Sequence, residues 1–344
     1  MDATVHPYRL KFKRPWISAR SHLGYREGCL LALHGPPGVV GWGDCAPLQE
    51  AGTESAAVSQ DSLNAFMPRA AGRPVAQLLN ELQSLPPAAR SAVETALLDL
   101  QARQEGVSLA SLIDRQRRGL LKVNAACGSL DGDASVCLDE AMKTGFGLVK
   151  FKVGAGSLRQ EVALLERLAS QAGGQLLFRL DANGAWDLNR ATEFIGAVDG
   201  LPVESIEEPL AQPDGVSLQS LQERAPFPLA LDESLVKLVD PDAMSSLPVK
   251  RIVLKPTVVG GPLATLAWAE RARAVGAEVV ITSTLESAVG VAMAAQVASA
   301  LEQDMVHGLC TGEWFETDVA QPPVVRAGVM TLPSGSGLGI DVDV

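Results

Sequence analysis

The chain has 344 residues, of which 47% are hydrophobic, 20% are charged and 4% are aromatic, and its formal net charge is −11. This many apolar residues can bury a large core, which excludes a globally disordered chain. The acidic balance, without any run of lysines or arginines, excludes a nucleic-acid-binding protein. Charged or turn residues interrupt every apolar stretch before about 18 residues, which argues against a membrane protein.

The cysteines are odd in number, widely spaced and without a C-x-x-C pair: Cys29, Cys45, Cys127, Cys137 and Cys310. This spacing predicts buried free thiols in a reducing compartment, and neither a disulfide framework nor a zinc ribbon. The N-terminal residues lack the apolar core of a signal peptide. We therefore expect a cytoplasmic protein.

The first 45 residues contain three short strand-like runs, HPYRLKF, EGCLLALHG and GVVGWGD. Helical patterns follow, and the clearest is PPAARSAVETALLDLQARQEG, which begins with proline and ends at Gly106. Strands followed by helices predict an α+β domain over residues 1–118.

From residue 119 onward, short apolar runs recur every 22 to 28 residues, with helix-like segments between them. The eight runs begin at Val123, Leu148, Leu176, Val203, Leu229, Arg251, Glu278 and Asp304. An open doubly wound sheet has this periodicity too, but eight regularly spaced strands favour a closed (β/α) barrel, here over residues 119–312. We expect residues 313–344 to add a strand and to pack back on the first domain.

Four consecutive strand-like runs end in a charged residue: Asp181, Glu207, Asp232 and Lys255. The carboxyl ends of barrel strands carry the active sites of such enzymes. Three carboxylates that converge there require a cation, and hard oxygen ligands suit Mg²⁺. The alternative is that each acid caps the helix after it, which is common for a single residue but weak for three successive strands.

The second run of the barrel, LVKFKV, places Lys150 and Lys152 on one face and Phe151 on the other. A solvated face is the usual position for lysine, but here the Phe151 face would then be the only buried one. We therefore expect both ammonium groups in the barrel mouth. Lys152 and Lys255 would flank the three carboxylates, an arrangement that suits the abstraction of a proton.

These motifs resemble the enolase superfamily, in its muconate-lactonizing-enzyme subgroup, through K-x-K, DANGAW, I-E-E-P, D-E-S and L-K-P. Within the subgroup the chain is most similar to the o-succinylbenzoate synthases of menaquinone and phylloquinone synthesis, through RIVLKPTVVGG, TSTLESAVG and HGLCTG. The match extends from GWGDCAPL to GLGIDVD and so covers nearly the whole chain.

The resemblance implies an enolase-type (β/α) barrel with an N-terminal α+β capping domain. It implies that Asp181, Glu207 and Asp232 bind Mg²⁺, with Mn²⁺ as a substitute. Lys152 would remove the proton α to a carboxylate and then protonate the departing hydroxide, while Lys255 would stay protonated beside the enediolate. The implied reaction converts 2-succinyl-6-hydroxy-2,4-cyclohexadiene-1-carboxylate to o-succinylbenzoate. The partner is thus a small carboxylate, and homo-oligomerisation stays open.

Five further residues are candidates for substrate binding: Lys150, Asn183, Ser283, Thr284 and Glu286. Lys150 would supply a second ammonium group, which favours the neutral form of Lys152. Helix capping explains Ser283 and Thr284 about as well as substrate binding does.

Two residues depart from the pattern of the family. Asp44 stands where a glutamate is usual, and Cys310 stands where an acid is usual in the eighth strand. The second change leaves the substrate open. A dipeptide epimerase or an N-acylamino acid racemase would use the same lysines and metal, with both lysines acting as acid–base partners.

Two more remote readings explain less of the sequence. A dinucleotide-dependent oxidoreductase is suggested by VGAGSL, but Arg159 replaces the third glycine of that motif. A Schiff-base lyase that uses Lys255 leaves the three carboxylates unexplained. In every barrel reading we expect the cap, with the loop Ser18–Gly24, to close over the substrate.

Overall fold

The computed structural model describes residues 2–17, 22–36, 38–114, 119–301 and 304–344. Most of the loop expected to close over the substrate, residues 18–21, therefore lies outside the described residues. Within the described ranges, no helix is both long enough and apolar enough to cross a bilayer.

In the described part of the N-terminal domain, a three-stranded antiparallel sheet, in the order β1-β2-β3, is followed by four α-helices. The elements are β1 (Asp2–Ile17), β2 (His22–Gly35), β3 (Val39–Cys45), α1 (Ala56–Ala70), α2 (Val75–Leu79), α3 (Pro87–Glu105) and α4 (Leu109–Ile113). Glycine is required in β3 because a Cβ at Gly41 or Gly43 would overlap the backbone oxygen of Ala96 or Ala92. The sheet can therefore pack directly against the backbone of α3.

Seven parallel strands, in the order β11-β10-β9-β8-β7-β6-β5, form the wall of the second domain. The strands from β4 onward are β4 (Leu120–Val123), β5 (Ala125–Ser129), β6 (Leu148–Lys152), β7 (Leu177–Asp181), β8 (Val203–Glu207), β9 (Leu229–Leu231), β10 (Arg251–Leu254), β11 (Glu278–Ile281) and β12 (Val306–His307). β12 pairs with β4, and a bridge between Thr282 and Gly308 connects it to the end of β11. The predicted enolase-type barrel with a capping domain is confirmed.

The helices of the barrel cover its outer face. They are α5 (Ala134–Lys143), α6 (Leu158–Ala172), α7 (Leu188–Ala197), α8 (Gly215–Arg224), α9 (Leu235–Leu238), α10 (Pro256–Val259), α11 (Pro262–Ala274) and α12 (Ala288–Ser299). Phe151 and Phe178 are fully buried between strands and helices, with ring centroids 5.8 Å apart. The outward direction of Phe151 turns Lys150 and Lys152 into the barrel, as the alternation predicts.

The C-terminal residues form a hairpin, β13 (Val325–Arg326) and β14 (Val329–Thr331), and β14 pairs with β4. The chain then returns to the cap, where Leu338 N donates to Asp99 Oδ1 at 2.6 Å and Arg103 donates to Ile340 O at 3.0 Å. The C-terminal segment thus contacts both domains.

One prediction about the cysteines is wrong. Cys127 and Cys137 form a disulfide, whereas Cys29, Cys45 and Cys310 are free and buried. Cys127 lies in β5 and Cys137 in α5, which packs directly on that strand. Their proximity arises from this packing and not from a short sequence spacing, so counting residues between cysteines could not reveal it.

Two buried carboxylates of the cap hold helix N-termini of the barrel. Asp44 accepts hydrogen bonds from the amide and the hydroxyl of Ser287, at 2.9 and 2.7 Å, just before α12. Glu94 accepts from the amide of Leu263, at 2.6 Å, in the first turn of α11. Both acids face the positive end of a helix dipole, which favours an anion there. Asp44 and Glu94 therefore join the two domains.

Replacing Glu94 with glutamine should remove a pH dependence of folding stability. Burial raises the pKa of Glu94 from 4.5 to about 7, so the folded state holds an extra proton between these values. The free energy of unfolding contributed by Glu94 should therefore fall as the pH rises through this window. Urea unfolding at about pH 5 and about pH 8 measures the effect. An equal change between the two pH values in wild type and E94Q would contradict it.

Candidate active site

A pocket opens at the carboxyl ends of the barrel strands, between the two domains. The barrel contributes Lys150, Lys152, Asp181, Asn183, Asp232, Glu233 and Lys255 on one side, and Asn124, Ala126, Gly128, Thr282, Ser283, Thr284, Leu285, Gly308, Cys310 and Thr311 on the other. The cap contributes Trp16, Leu48, Glu50 and Ala51. The cap therefore forms part of the pocket wall, as expected of a capping domain.

The carboxyl ends of the barrel strands bring the predicted carboxylates and lysines together. Lys150 Nζ lies 3.0 Å from Asp181 Oδ2 and donates a short hydrogen bond to Glu207 Oε2. Lys152 Nζ lies 3.2 Å from the same Asp181 oxygen. On the next strands, Lys255 Nζ donates to Asp232 Oδ2 at 2.7 Å. Glu207 does not line the open pocket, because Lys150 covers it.

The charges in this cluster shift one another's pKa values. Burial acts to raise the pKa of Asp181, but Lys150 and Lys152 outweigh it and hold that pKa well below its usual range. Burial likewise acts to lower the pKa of Lys150, but the adjacent carboxylates outweigh it and raise that pKa. Burial raises the pKa of Asp232 to about 8, even though Lys255 opposes it.

The upper layer of the barrel interior is short of positive charge. It holds the carboxylates of Asp181, Glu207, Asp232 and Glu233 against the ammonium groups of Lys150, Lys152 and Lys255. The layer beneath is balanced, because Arg179 and Arg251 pair there with Glu204 and Glu278. With all four carboxylates ionised, the upper layer alone therefore has a net negative charge, which the raised pKa of Asp232 relieves by retaining a proton and which a bound cation would offset.

These carboxylates fit a divalent cation by their chemistry. Asp181, Glu207 and Asp232 are at most 7% exposed, end or directly follow adjacent strands, and offer the oxygen ligands that Mg²⁺ prefers. Among the described residues, no three His, Cys, Asp or Glu side chains are already arranged around one point as metal ligands. Lys150 and Lys255 occupy inward-facing oxygens of these acids, so a bound cation would compete with ammonium groups.

The predicted substrate contacts after β11 divide into two kinds. Ser283 and Thr284 line the pocket, and the Ser283 hydroxyl lies 2.8 Å from that of Thr311. Glu286 does not line it. This carboxylate is buried behind the wall, where it accepts hydrogen bonds from the hydroxyls of Thr257 and Thr284 and from the Thr284 amide. Its position suits support of the loop and not contact with substrate.

Two residues that line the pocket, Trp16 and Glu233, were not among the predicted site residues. The ring of Trp16 lies 5.8 Å from Lys152 Nζ, within range of a cation–π interaction. Trp16 lies two residues before the loop that was expected to close, and this was the one signal for it. Glu233 is the second residue after the end of β9, so strand alternation no longer fixes its direction.

The glycine-rich loop after β6 is already occupied by a side chain. The amides of Gly154 and Gly156 donate to Glu161 Oε1 at 2.8 and 2.9 Å. In a dinucleotide site such amides bind a pyrophosphate, which a carboxylate in their place would repel. The loop therefore argues against the oxidoreductase reading.

The two domains match two parts of one protein family. Residues 2–114 match the mandelate racemase / muconate lactonizing enzyme N-terminal domain, and residues 135–344 match the enolase C-terminal domain-like family. The chain belongs to the enolase superfamily.

Curated members of the enolase superfamily with different reactions resemble this chain. The o-succinylbenzoate synthase of Desulfotalea psychrophila is 32% identical over 251 residues, covering 71% of this chain and 67% of the relative. A chloromuconate cycloisomerase of Cupriavidus pinatubonensis is 27% identical over 352 residues, covering 97% and 94%. Membership of the enolase superfamily therefore does not by itself fix the reaction.

Solved structures of the enolase superfamily share the fold. The dipeptide epimerase of Enterococcus faecalis, in complex with Mg and the dipeptide L-Leu-L-Tyr, superposes with a TM-score of 0.89. The superposition covers 99% of both chains, with 22% sequence identity. At this identity the likeness concerns the fold alone.

Proposed function

We propose that this protein is a Mg²⁺-dependent dehydratase that converts 2-succinyl-6-hydroxy-2,4-cyclohexadiene-1-carboxylate to o-succinylbenzoate. The observation that carries the proposal is the pocket itself, in which Lys152 and Lys255 flank buried strand-end carboxylates. Such a pocket suits the removal of a proton next to a carboxylate. The 32% identity to an o-succinylbenzoate synthase, together with the motifs after β10 and β11, supports this substrate.

The eighth-strand side of the pocket also supports an acidic substrate without an ammonium group. The residues on this side are Gly308, Cys310 and Thr311, none of which carries a charge. Burial raises the pKa of the Cys310 thiol to about 12, which keeps it neutral. A substrate ammonium group on this side would have no carboxylate to pair with among these residues. The ring and the succinyl group of the proposed substrate require no such carboxylate.

Asp181, Glu207 and Asp232 would hold the Mg²⁺ ion. When bound, it would supply positive charge that stabilises the extra electron pair on the substrate carboxylate. With four carboxylates and three ammonium groups in the layer, a divalent cation brings its net charge to +1, which suits an anionic substrate.

The two lysines carry out the proton transfers and stabilise the intermediate. Lys152 Nζ, as the free amine, takes the proton α to the carboxylate, and the C–H electron pair forms the carbon–carbon double bond of an enediolate. That pair then forms a ring double bond while the C–O bond at the neighbouring carbon breaks. Lys152 returns its proton to the departing hydroxide, so one water leaves and nothing is oxidised or reduced. Lys255 remains an ammonium group on the opposite side.

A second candidate is the epimerisation of a dipeptide. Both lysines reach the pocket, as a reaction with one acid and one base on opposite faces requires. The cap also contributes Glu50, an exposed carboxylate at the pocket mouth that could pair with a peptide ammonium group. These two observations keep the epimerase as the alternative.

Purified protein with Mg²⁺ should be assayed against the cyclohexadiene carboxylate and a dipeptide panel in parallel. We expect formation of the aromatic product and no change of configuration in the dipeptides. Epimerisation of a dipeptide without dehydration would overturn the proposal in favour of the second candidate.

A further inference from the structure

Glu233 has a position that the proposed mechanism does not use. Its side chain is 10% exposed, lines the pocket and directly follows Asp232. Its Oε1 accepts a hydrogen bond from Asn183 Nδ2 at 3.0 Å and lies 3.9 Å from Lys255 Nζ. Its Oε2 is buried and accepts no hydrogen bond from the described residues. A buried carboxylate with one hydrogen bond is costly, which points to a function.

Asn183 connects Glu233 to the proposed base. The Asn183 Oδ1 accepts a hydrogen bond from Lys152 Nζ at 2.6 Å, while its Nδ2 faces Glu233. The opposite amide orientation would direct N–H groups at an ammonium and an oxygen at a carboxylate. A negative charge at position 233 therefore fixes the amide so that an acceptor faces Lys152. Asn183 itself has a φ of 45°, in the left-handed region that asparagine adopts more readily than most residues.

On the other wall, Lys255 lies between two acceptors. Its Nζ is 2.7 Å from Asp232 Oδ2 and 3.9 Å from Glu233 Oε1. If Asp232 binds a metal ion, that ion and Lys255 compete for the same carboxylate. Glu233 is then the adjacent acceptor that can keep Lys255 in place.

We propose that Glu233 is a positioning residue that orients both lysines, Lys152 through Asn183 and Lys255 directly. The inference rests on the proposed function for what the lysines do, but its geometry does not depend on the substrate. Glu233 would thus couple the two sides of the pocket through one carboxylate.

The chain offers a matched control in Glu161. It is 4% exposed, its Oε1 accepts the amides of Gly154 and Gly156, and its Oε2 also accepts no hydrogen bond from the described residues. It lies outside the pocket. Glu161→Gln therefore reports what the loss of a similarly buried charge does to folding alone.

The kinetic test compares Glu233→Gln with Glu161→Gln in the Mg²⁺-loaded enzyme. We expect E233Q to lower kcat about 10–100-fold, the usual effect of removing a partner that orients reactive groups, while KM changes less than about threefold. Glutamine can still accept from Asn183, so E233A should lose more. E161Q should shift the melting temperature at least as much as E233Q does, with kcat within about threefold of wild type. Equal loss of kcat in E233Q and E161Q would overturn the proposal.

A crystallographic test separates this proposal from the choice of substrate. Structures of wild type and E233A, both with Mg²⁺, give the positions of Lys152 Nζ, Lys255 Nζ and the Asn183 amide. We expect Lys255 Nζ to shift and the amide to reorient in the variant. Unchanged positions of all three groups would overturn the role of Glu233, even if the enzyme proved to be an epimerase.

Discussion

Replacement of Lys152 by alanine is expected to lower the rate of dehydration by at least about 10⁴-fold. A general acid or base contributes about 10²–10⁴-fold, and this variant loses both the group that takes the α-proton and the group that protonates hydroxide. The adjacent Lys150 does not replace it, because Lys150 is held by Asp181 and Glu207 and its pKa is raised. Single-turnover kinetics on purified protein would measure the loss.

A control variant for Lys152 is Lys250→Ala. Lys250 is exposed and immediately precedes β10, at the opposite end of the barrel from the pocket. We expect this variant to turn over at the wild-type rate. A Lys152→Ala enzyme that retained more than about a hundredth of the wild-type rate would contradict the assignment of Lys152 as base and acid.

Removal of divalent cations should abolish turnover, and Mg²⁺ should restore it, with Mn²⁺ as a substitute. The physical reason is the charge of the pocket, where four carboxylates, once all are ionised, face three ammonium groups before any substrate carboxylate enters. An additional anion is then unfavourable without a cation. Treatment with EDTA, followed by titration with Mg²⁺, measures the effect. Full turnover by metal-free enzyme would contradict the carboxylate assignment.

Metal binding can also be measured without turnover. Asp232→Asn should weaken Mn²⁺ binding, followed by electron paramagnetic resonance, by about tenfold or more, because a neutral amide replaces a charged ligand. Asp242→Asn is the control, since Asp242 is 79% exposed and pairs with Arg271 at the surface. Equal affinities in the two variants would contradict the proposed role of Asp232.

The positions of most barrel strands could be predicted from the sequence. Predicted and observed strands begin at the same residue for β6, β8, β9, β10 and β11, and differ by one residue for β7. Strands buried on both faces require continuous apolar runs, which are easily recognised. The positions of the first and last strands of the barrel were harder to predict. The first run divides into β4 and β5, and β12 has only two residues, too few to give a pattern.

Which strand-end residues lie together could also be predicted, because charge is rare within a buried strand. The directions of side chains beyond the strand ends could not be predicted. Asn183, Glu208 and Leu285 have φ values of 45°, 43° and 63°, and such turns redirect the residues near them. Glu286, which directly follows Leu285, is consequently behind the wall and does not line the pocket as predicted, whereas Glu233, beyond the end of β9, lines it.

The central claim is that one lysine, Lys152, serves as both base and acid. It is tested most directly by exchange of the α-proton in D₂O, followed by mass spectrometry on any substrate that the wild type turns over. Wild type, Lys152→Ala and Lys255→Ala are compared. A dehydratase with one base predicts no deuterium incorporation by the Lys152 variant. A two-base epimerase predicts that each variant still exchanges the proton of one stereoisomer, so retained exchange by Lys152→Ala would contradict the account.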